Sequence, residues 1–117
     1  MDKLALKYHN LEYNCSLCIL KAFEEKHSVP LTHQLEESCK VMSSGFGIGV
    51  ICNALTAGVM IFGIMHDETL AKSARIALLS DTQEKYGSIN CAPLKDVYEC
   101  EDIIAYIANK IDELITN

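Results

Sequence analysis

Four of the six cysteines in this chain stand where the sequence predicts the start of a helix. Cys15 and Cys91 each follow an asparagine, a residue that commonly caps helices. Cys52 follows a glycine-punctuated loop, and Cys100 precedes an amphipathic run. A helix start offers free N–H groups and the positive end of the helix dipole, which can lower a thiol pKa from about 8.5 to roughly 3.5–7.5. Since thiolates attack disulfides and bind metals, the pattern predicts redox or metal chemistry at these four residues.

The other two cysteines are interpreted as packing residues. Cys18 forms a CxxC pair with Cys15, but no strand precedes it as in a thioredoxin-like redox motif. We interpret Cys18 as the next residue of an apolar helical stripe, with a resolving thiol as the alternative. Cys39 lies on the apolar face of a predicted helix and is expected in the core, because a free cysteine behaves as a small hydrophobe.

No standard metal signature is present among the cysteines. The chain has no pair of CxxC motifs as in a zinc ribbon, and Ile19 follows Cys18 where a CxxCH haem motif needs histidine. Ferredoxin spacing is also absent. Ligands need only be close in space, however, so a zinc or iron–sulfur site built from Cys15, Cys52, Cys91 and Cys100 stays open as an alternative.

The segment GFGIG ahead of Cys52 has two interpretations. Backbone amides of Gly47 and Gly49 are candidate cofactor contacts, since such amides can hold an anion at a helix start. The pattern matches no phosphate-loop motif, though, and no strand precedes it. The alternative is local, because glycine lets the backbone turn sharply into the helix that follows. The four histidines lie in polar surroundings near predicted helix ends and are interpreted as surface or capping residues.

Helical periodicity dominates the first half of the chain. Residues 3–26 carry an apolar stripe with a break near Tyr13, which predicts two helices. Thr32 is expected to cap a helix that runs through Cys39 to Met42. Residues 50–65 are apolar on all sides, as in a core helix, and are shorter than the ~20 residues of a membrane span.

The second half continues in the same way. Asp67 is expected to start a helix that ends before Gly87, a short helix follows Asn90, and an amphipathic helix runs from about Cys100 to Ile115. No segment alternates at period two for long enough to be a strand. The sequence therefore predicts an all-α single domain, residues 1–117, with five or six helices around the central apolar one.

Composition narrows the functional classes. A net charge of −6 and ten scattered Lys and Arg residues argue against nucleic acid as a partner. The first residues, MDKLALKYHNLEYN, show no apolar signal-peptide core, so we expect a cytoplasmic protein with mostly reduced cysteines.

The cysteine-bearing segments resemble those of a known family. Asn14-Cys15, Ser44–Gly47, the run Cys52–Gly58, and the later Cys91 and Cys100 are similar to the pattern of the C_GCAxxG_C_C family, over roughly residues 13–110. Asn53 stands where that family's motif has glycine. The family is regarded as redox-active on the strength of four cysteines and is often encoded beside transporters.

The resemblance implies that Cys15, Cys52, Cys91 and Cys100 are the family's four cysteines. The leading hypothesis is thiol–disulfide chemistry or electron transfer with a redox partner protein, Cys52 attacking and Cys91–Cys100 forming a disulfide. One alternative is a metal or iron–sulfur module, with the site at the interface of a homodimer. The other is a non-catalytic accessory protein that docks on a transporter or reductase. No cofactor is assigned.

Overall fold

The structure is a computed structural model that describes residues 1–116, and these residues form seven α-helices. The helices are α1 (Asp2–Asn10), α2 (Cys15–His27), α3 (His33–Ser38), α4 (Asn53–Met65), α5 (Glu68–Tyr86), α6 (Cys91–Val97) and α7 (Cys100–Thr116). The all-α prediction is confirmed, with more helices than the five or six expected. The buried apolar side chains form one cluster. The domain limits 1–117 stay a prediction, and residue 117 lies outside the described residues.

The first two helices are separated at the predicted break. Glu12 adopts a left-handed conformation with φ +70°, which directs the chain out of α1. The side-chain oxygen of Asn14 then accepts a hydrogen bond from the Leu17 N–H at 2.9 Å and caps α2. This cap fixes Cys15 as the first residue of α2.

The third helix is shorter than predicted. Thr32 caps it as expected, its hydroxyl accepting from the Leu35 N–H, but the helix ends at Ser38. Cys39 and Met42, predicted within the helix, lie beyond its end. Six residues make few internal hydrogen bonds, and the run of exposed and half-buried side chains gives the helix little apolar surface to bury.

Helix α4 runs through the centre of the bundle and contacts α2, α5 and α7. A Cβ on Gly58 would lie 2.8 Å from both Leu78 of α5 and Ile111 of α7, so glycine is what allows these helices to approach. The other end of α4 is less enclosed than its composition predicts, because Ile64 and Met65 are exposed. No helix within residues 1–116 is both long and apolar enough to cross a bilayer.

The last helices follow their predicted boundaries. Asp67 caps α5 by accepting from the Leu70 N–H, and Gly87 ends α5 in a left-handed conformation. Helix α7 then buries Ile103, Ile107 and Ile111 against the core. These packed elements place the starts of α2, α4, α6 and α7 at one cavity.

Candidate functional site

All four predicted cysteines lie at helix starts. Cys15, Cys91 and Cys100 are the first residues of α2, α6 and α7, and Cys52 directly precedes α4 as its cap residue. Cys52 and Cys91 are buried, whereas Cys15 and Cys100 are half-buried. The helix-start placement read from the sequence is therefore confirmed.

The four cysteines line a single cavity of about 280 Å³, which we call the sulfur cavity. Both apolar and polar residues complete its walls. The remaining lining residues are His9, Tyr13, Asn14, Ser43, Ser44, Leu94, Lys95, Ile103 and Ile104. All six cysteines are free thiols in this structure.

An isolated antiparallel β-bridge holds the starts of α4 and α6 side by side. Ile51 lies opposite Asn90 in antiparallel orientation. The Cys52 N–H donates to the Ile89 carbonyl at 2.9 Å, and the Cys91 N–H donates to the Val50 carbonyl at 2.8 Å. Both cysteine amides are thereby tied to the opposing segment, which brings two distant parts of the chain to the cavity.

The loop Gly45–Gly49 approaches the cavity through a run of left-handed residues. Ser44, Gly45, Phe46 and Gly47 have φ between +55° and +80°, a conformation unusual for side-chain-bearing residues. The buried side chain of Asn53 accepts a hydrogen bond from the Phe46 N–H at 2.9 Å. Asn53, which stands at the family's glycine position, thus holds the loop in place.

The two glycines proposed as cofactor contacts do not line the sulfur cavity. Gly49 lies against α6, where a Cβ would come within 2.8 Å of the Ala92 Cβ, and a Cβ on Gly47 would meet nothing within 4 Å. Both have positive φ. Their positions favour the local alternative, in which glycine permits the turn, and the cofactor contact stays without support.

Burial outweighs the helix starts at two of the thiols. Burial raises the pKa of Cys52 to about 12, the charge of Cys15 adds to the rise, and the N–H groups of Ala54 and Leu55 oppose it. Burial also raises the pKa of Cys15, against the lowering effect of the Ser44 N–H, and Cys91 adds to the rise. The expectation of lowered pKa is therefore wrong for Cys15 and Cys52, because desolvation of a thiolate exceeds what a few amides return.

The same interactions show which sulfurs are neighbours. The charges of Cys15 and Cys91 both raise the pKa of Cys52, and the charge of Cys91 raises the pKa of Cys15. Cys52 itself is only 8% exposed, although residues of the loop ahead of it, such as Ile48, are exposed. Cys15 is half-buried and lies near Cys52 and Cys91, which makes it better placed than Cys52 to meet an external disulfide.

The two remaining cysteines lie outside the cavity. Cys18 is fully buried, its thiol donates to the Tyr13 carbonyl at 3.3 Å, and burial raises its pKa to about 12. Cys39 is also fully buried, and burial raises its pKa. Both positions agree with their interpretation as packing residues.

Two basic residues of the cavity were missed from the sequence. Lys95 lies four positions after Cys91, a spacing that puts both on one face of α6 and was a usable signal. His9, near the end of α1, reaches the cavity and lies 3.7 Å from Glu101 of α7. Its approach depends on how α1 packs against α7, for which the sequence around His9 holds no signal.

The cysteines of the sulfur cavity are not arranged as metal ligands. Within residues 1–116 no three His, Cys, Asp or Glu side chains are arranged to hold a metal ion. The four cysteines share a cavity without forming a coordination site in this conformation, so their arrangement does not fit zinc or an iron–sulfur cluster.

Alkylation of Cys52 should require a higher pH than alkylation of an ordinary cysteine. At about pH 7.5 we expect iodoacetamide to label Cys52 much more slowly than a cysteine in the unfolded chain, because its thiolate is about 1,000-fold scarcer. The rate should rise about tenfold per pH unit up to about pH 11. Peptide mapping by mass spectrometry measures this rate, and denatured protein is the control. A plateau near pH 9 would contradict the assignment.

The same thiol should make the fold sensitive to alkali. Between about pH 9 and about pH 12 the unfolded thiol is ionised while the folded one keeps its proton, so the folded state binds more protons. The free energy of unfolding should then fall by up to about 1.4 kcal/mol per pH unit from this thiol. Urea denaturation of the native chain and of Cys52→Ser separates this slope from other titrations, since serine does not ionise there.

Comparison with known protein families places most of this chain in a described family. Residues 13–114 match the family described as "Putative redox-active protein (C_GCAxxG_C_C)". No curated protein and no solved structure matches the chain. The matched segment contains all four cavity cysteines and helices α2 to α6 with most of α7, whereas α1 lies outside it. The chain belongs to the C_GCAxxG_C_C family.

Proposed function

We propose that this protein carries out thiol–disulfide exchange in the sulfur cavity, with Cys15 as the attacking residue and Cys52 as the resolving one. The observation that supports it is the meeting of four cysteines from four helix starts in one cavity of about 280 Å³. Cys15 is half-buried and therefore accessible, and its charge acts on Cys52 more strongly than that of Cys91 does.

The exchange takes two balanced steps. Cys15 loses its proton and its sulfur attacks one sulfur of a partner disulfide, forming a mixed disulfide and releasing the other partner sulfur as a thiolate. Cys52 then loses its proton and attacks the Cys15 sulfur, which releases the second partner thiolate. The partner gains two electrons and two protons, and the protein is left with a Cys15–Cys52 disulfide.

Raised pKa values do not prevent this chemistry. A thiol of higher pKa is scarcer as thiolate but intrinsically more nucleophilic. His9 lines the same cavity and, when neutral, can accept a thiol proton. The Ser44 N–H, which lowers the pKa of Cys15, stabilises the thiolate once formed.

The remaining two cysteines complete the proposal. Cys91 interacts with both Cys15 and Cys52, but resolution of the mixed disulfide is assigned to Cys52, on which Cys15 acts more strongly than Cys91 does. Cys100 is half-buried at the start of α7, and a Cys91–Cys100 disulfide remains a second proposed pair. The proposed partner is a redox protein with an accessible disulfide; a transporter-associated partner is proposed on the family resemblance alone.

The test begins with fully reduced protein purified without oxygen. After exposure to glutathione disulfide we expect the free thiol count to fall from six to four, with a mass loss of two hydrogens. Proteolytic mapping should find Cys15 joined to Cys52. A Cys91–Cys100 link in its place would move the exchange to the second pair.

Other outcomes would contradict exchange. Zinc or iron that stays bound through anaerobic purification and protects four thiols would favour the metal alternative. Six thiols that remain free across the range of glutathione ratios, with no metal, would favour a non-catalytic accessory protein.

A further inference from the structure

One backbone edge beside the sulfur cavity is left unpaired. In the bridge between Ile51 and Asn90, the hydrogen bonds are made by the flanking residues, so the two bridged residues form a non-hydrogen-bonded pair. In such a pair the N–H and C=O of each residue point away from the opposite segment. Within residues 1–116 neither the N–H nor the C=O of Ile51 has a hydrogen-bond partner, and Ile51 is 39% exposed.

The loop that leads to this edge is apolar and carries no charged residue. Phe46, Val50 and Ile51 are exposed, and Ile48 is 79% exposed. No charged residue occurs between Val41 and Met65, although the chain carries a net charge of −6. An uncharged apolar segment can pack on this loop, whereas a charged segment would find no charged partner in it.

We propose that Ile51 binds an extended, uncharged apolar segment of the partner protein that flanks its disulfide cysteine, adding a strand beside residues 50–52. This inference rests on the proposed function and names its substrate class, a protein disulfide in an extended segment as opposed to a small disulfide. Main-chain hydrogen bonds to the Ile51 N–H and C=O provide affinity, as in other cases of strand addition. Phe46 and Ile48 provide apolar contact.

The position of this edge explains why such a segment would react. Ile51 is the residue before Cys52, whose sulfur lies in the cavity beside Cys15. A strand at Ile51 therefore holds a partner cysteine next to the cavity. The sulfur of Cys15 then attacks the partner sulfur and the second partner sulfur leaves as a thiolate. Holding the two sulfurs together raises the rate by converting an encounter into a positioned reaction.

Three substrates with the same coloured leaving thiol test the proposal. The first is a peptide with valine and threonine residues on both sides of one cysteine, which is linked as a mixed disulfide to thionitrobenzoate. The second is the same peptide with N-methyl groups on the residues that flank the cysteine, and the third is the thionitrobenzoate disulfide of N-acetylcysteine amide. Release of thionitrobenzoate gives the rate constant of attack in each case.

We expect the first peptide to react at least about tenfold faster than the cysteine amide, and N-methylation to remove most of that gain. Ile48→Lys should also reduce the gain for the peptide and leave the cysteine amide unaffected. Ile76→Lys, which adds the same charge at another exposed apolar residue on α5, should change neither rate. Equal rates for all three substrates would overturn the binding edge while leaving exchange intact. If no substrate reacts, the exchange itself fails, and the inference fails with it.

Discussion

Cys15→Ser should abolish disulfide exchange while leaving the fold in place. The hydroxyl that replaces the sulfur cannot form a disulfide, and the residue is half-buried at a helix start, where serine is well tolerated. Cys52→Ser should give a different result, because attack by Cys15 can proceed but the mixed disulfide is not resolved. Mass spectrometry should then find the partner thiol attached to Cys15, with no further turnover.

Cys39→Ala is the matched control for both variants. Cys39 is fully buried and outside the sulfur cavity, so its truncation should cost about 1 kcal/mol of stability and leave the exchange rate unchanged. The same loss of exchange in Cys39→Ala as in Cys52→Ser would show that the activity follows packing, not the cavity sulfurs. Circular dichroism of each variant separates loss of chemistry from loss of fold.

Gly45→Ala should be the most destabilising single substitution in the loop. Gly45 is buried with φ +59°, and an added Cβ would lie 2.3 Å from the Val50 oxygen, 2.6 Å from the Val50 nitrogen and 2.8 Å from the Cys91 Cβ. Two of these atoms are backbone and cannot rotate away. We expect a loss of about 4 kcal/mol in the free energy of unfolding, together with displacement of Cys91 and loss of exchange.

Gly47→Ala measures what the left-handed backbone conformation alone costs in stability. Gly47 has φ +80° but meets no atom within 4 Å of an added Cβ, so only the left-handed conformation is penalised. We expect a loss of about 1 kcal/mol and an unchanged exchange rate. Urea denaturation of the two variants compares them directly. Equal losses would mean that the contact with Val50 and Cys91 does not control the loop.

Helix starts could be read from the sequence because their signals are local. Asn14, Thr32 and Asp67 each accept a hydrogen bond from an N–H three residues later, and each was identified from residue type and the apolar pattern that follows. The placement of the four cysteines follows from the same signals.

Thiol acidity could not be read in the same way. The helix start near Cys52 is a local feature, but its burial depends on how other helices pack around it, and residues 15 and 91, which also affect its pKa, come from α2 and α6. The prediction of the end of α3 was wrong for a related reason. The apolar spacing through Met42 does not show how little of the apolar face of α3 packs against other helices. The bridge between Ile51 and Asn90 joins single residues and leaves no period in the sequence.

The left-handed loop shows a mixed outcome. Three glycines in five residues indicated a sharp turn, and each of them has positive φ. Ser44 and Phe46 adopt the same hand, against their ordinary preference, and the hydrogen bond from the Phe46 N–H to Asn53 helps to hold this conformation. Asn53 had been noted only as a departure from the family's glycine, and its role became visible with the fold.

The wide separation of Cys15 and Cys52 along the chain couples oxidation to melting. A disulfide between them would close a loop of about 40 residues. The lost chain entropy would raise the free energy of the unfolded state by about 4 kcal/mol. Thermodynamic reciprocity requires that the native state favour ring closure by the same amount, a factor on the order of 1,000 in the equilibrium constant. The gain in thermal stability on oxidation and the preference of the folded chain for the disulfide are therefore the same free energy. A chain that loses its tertiary structure also loses most of its tendency to form the disulfide.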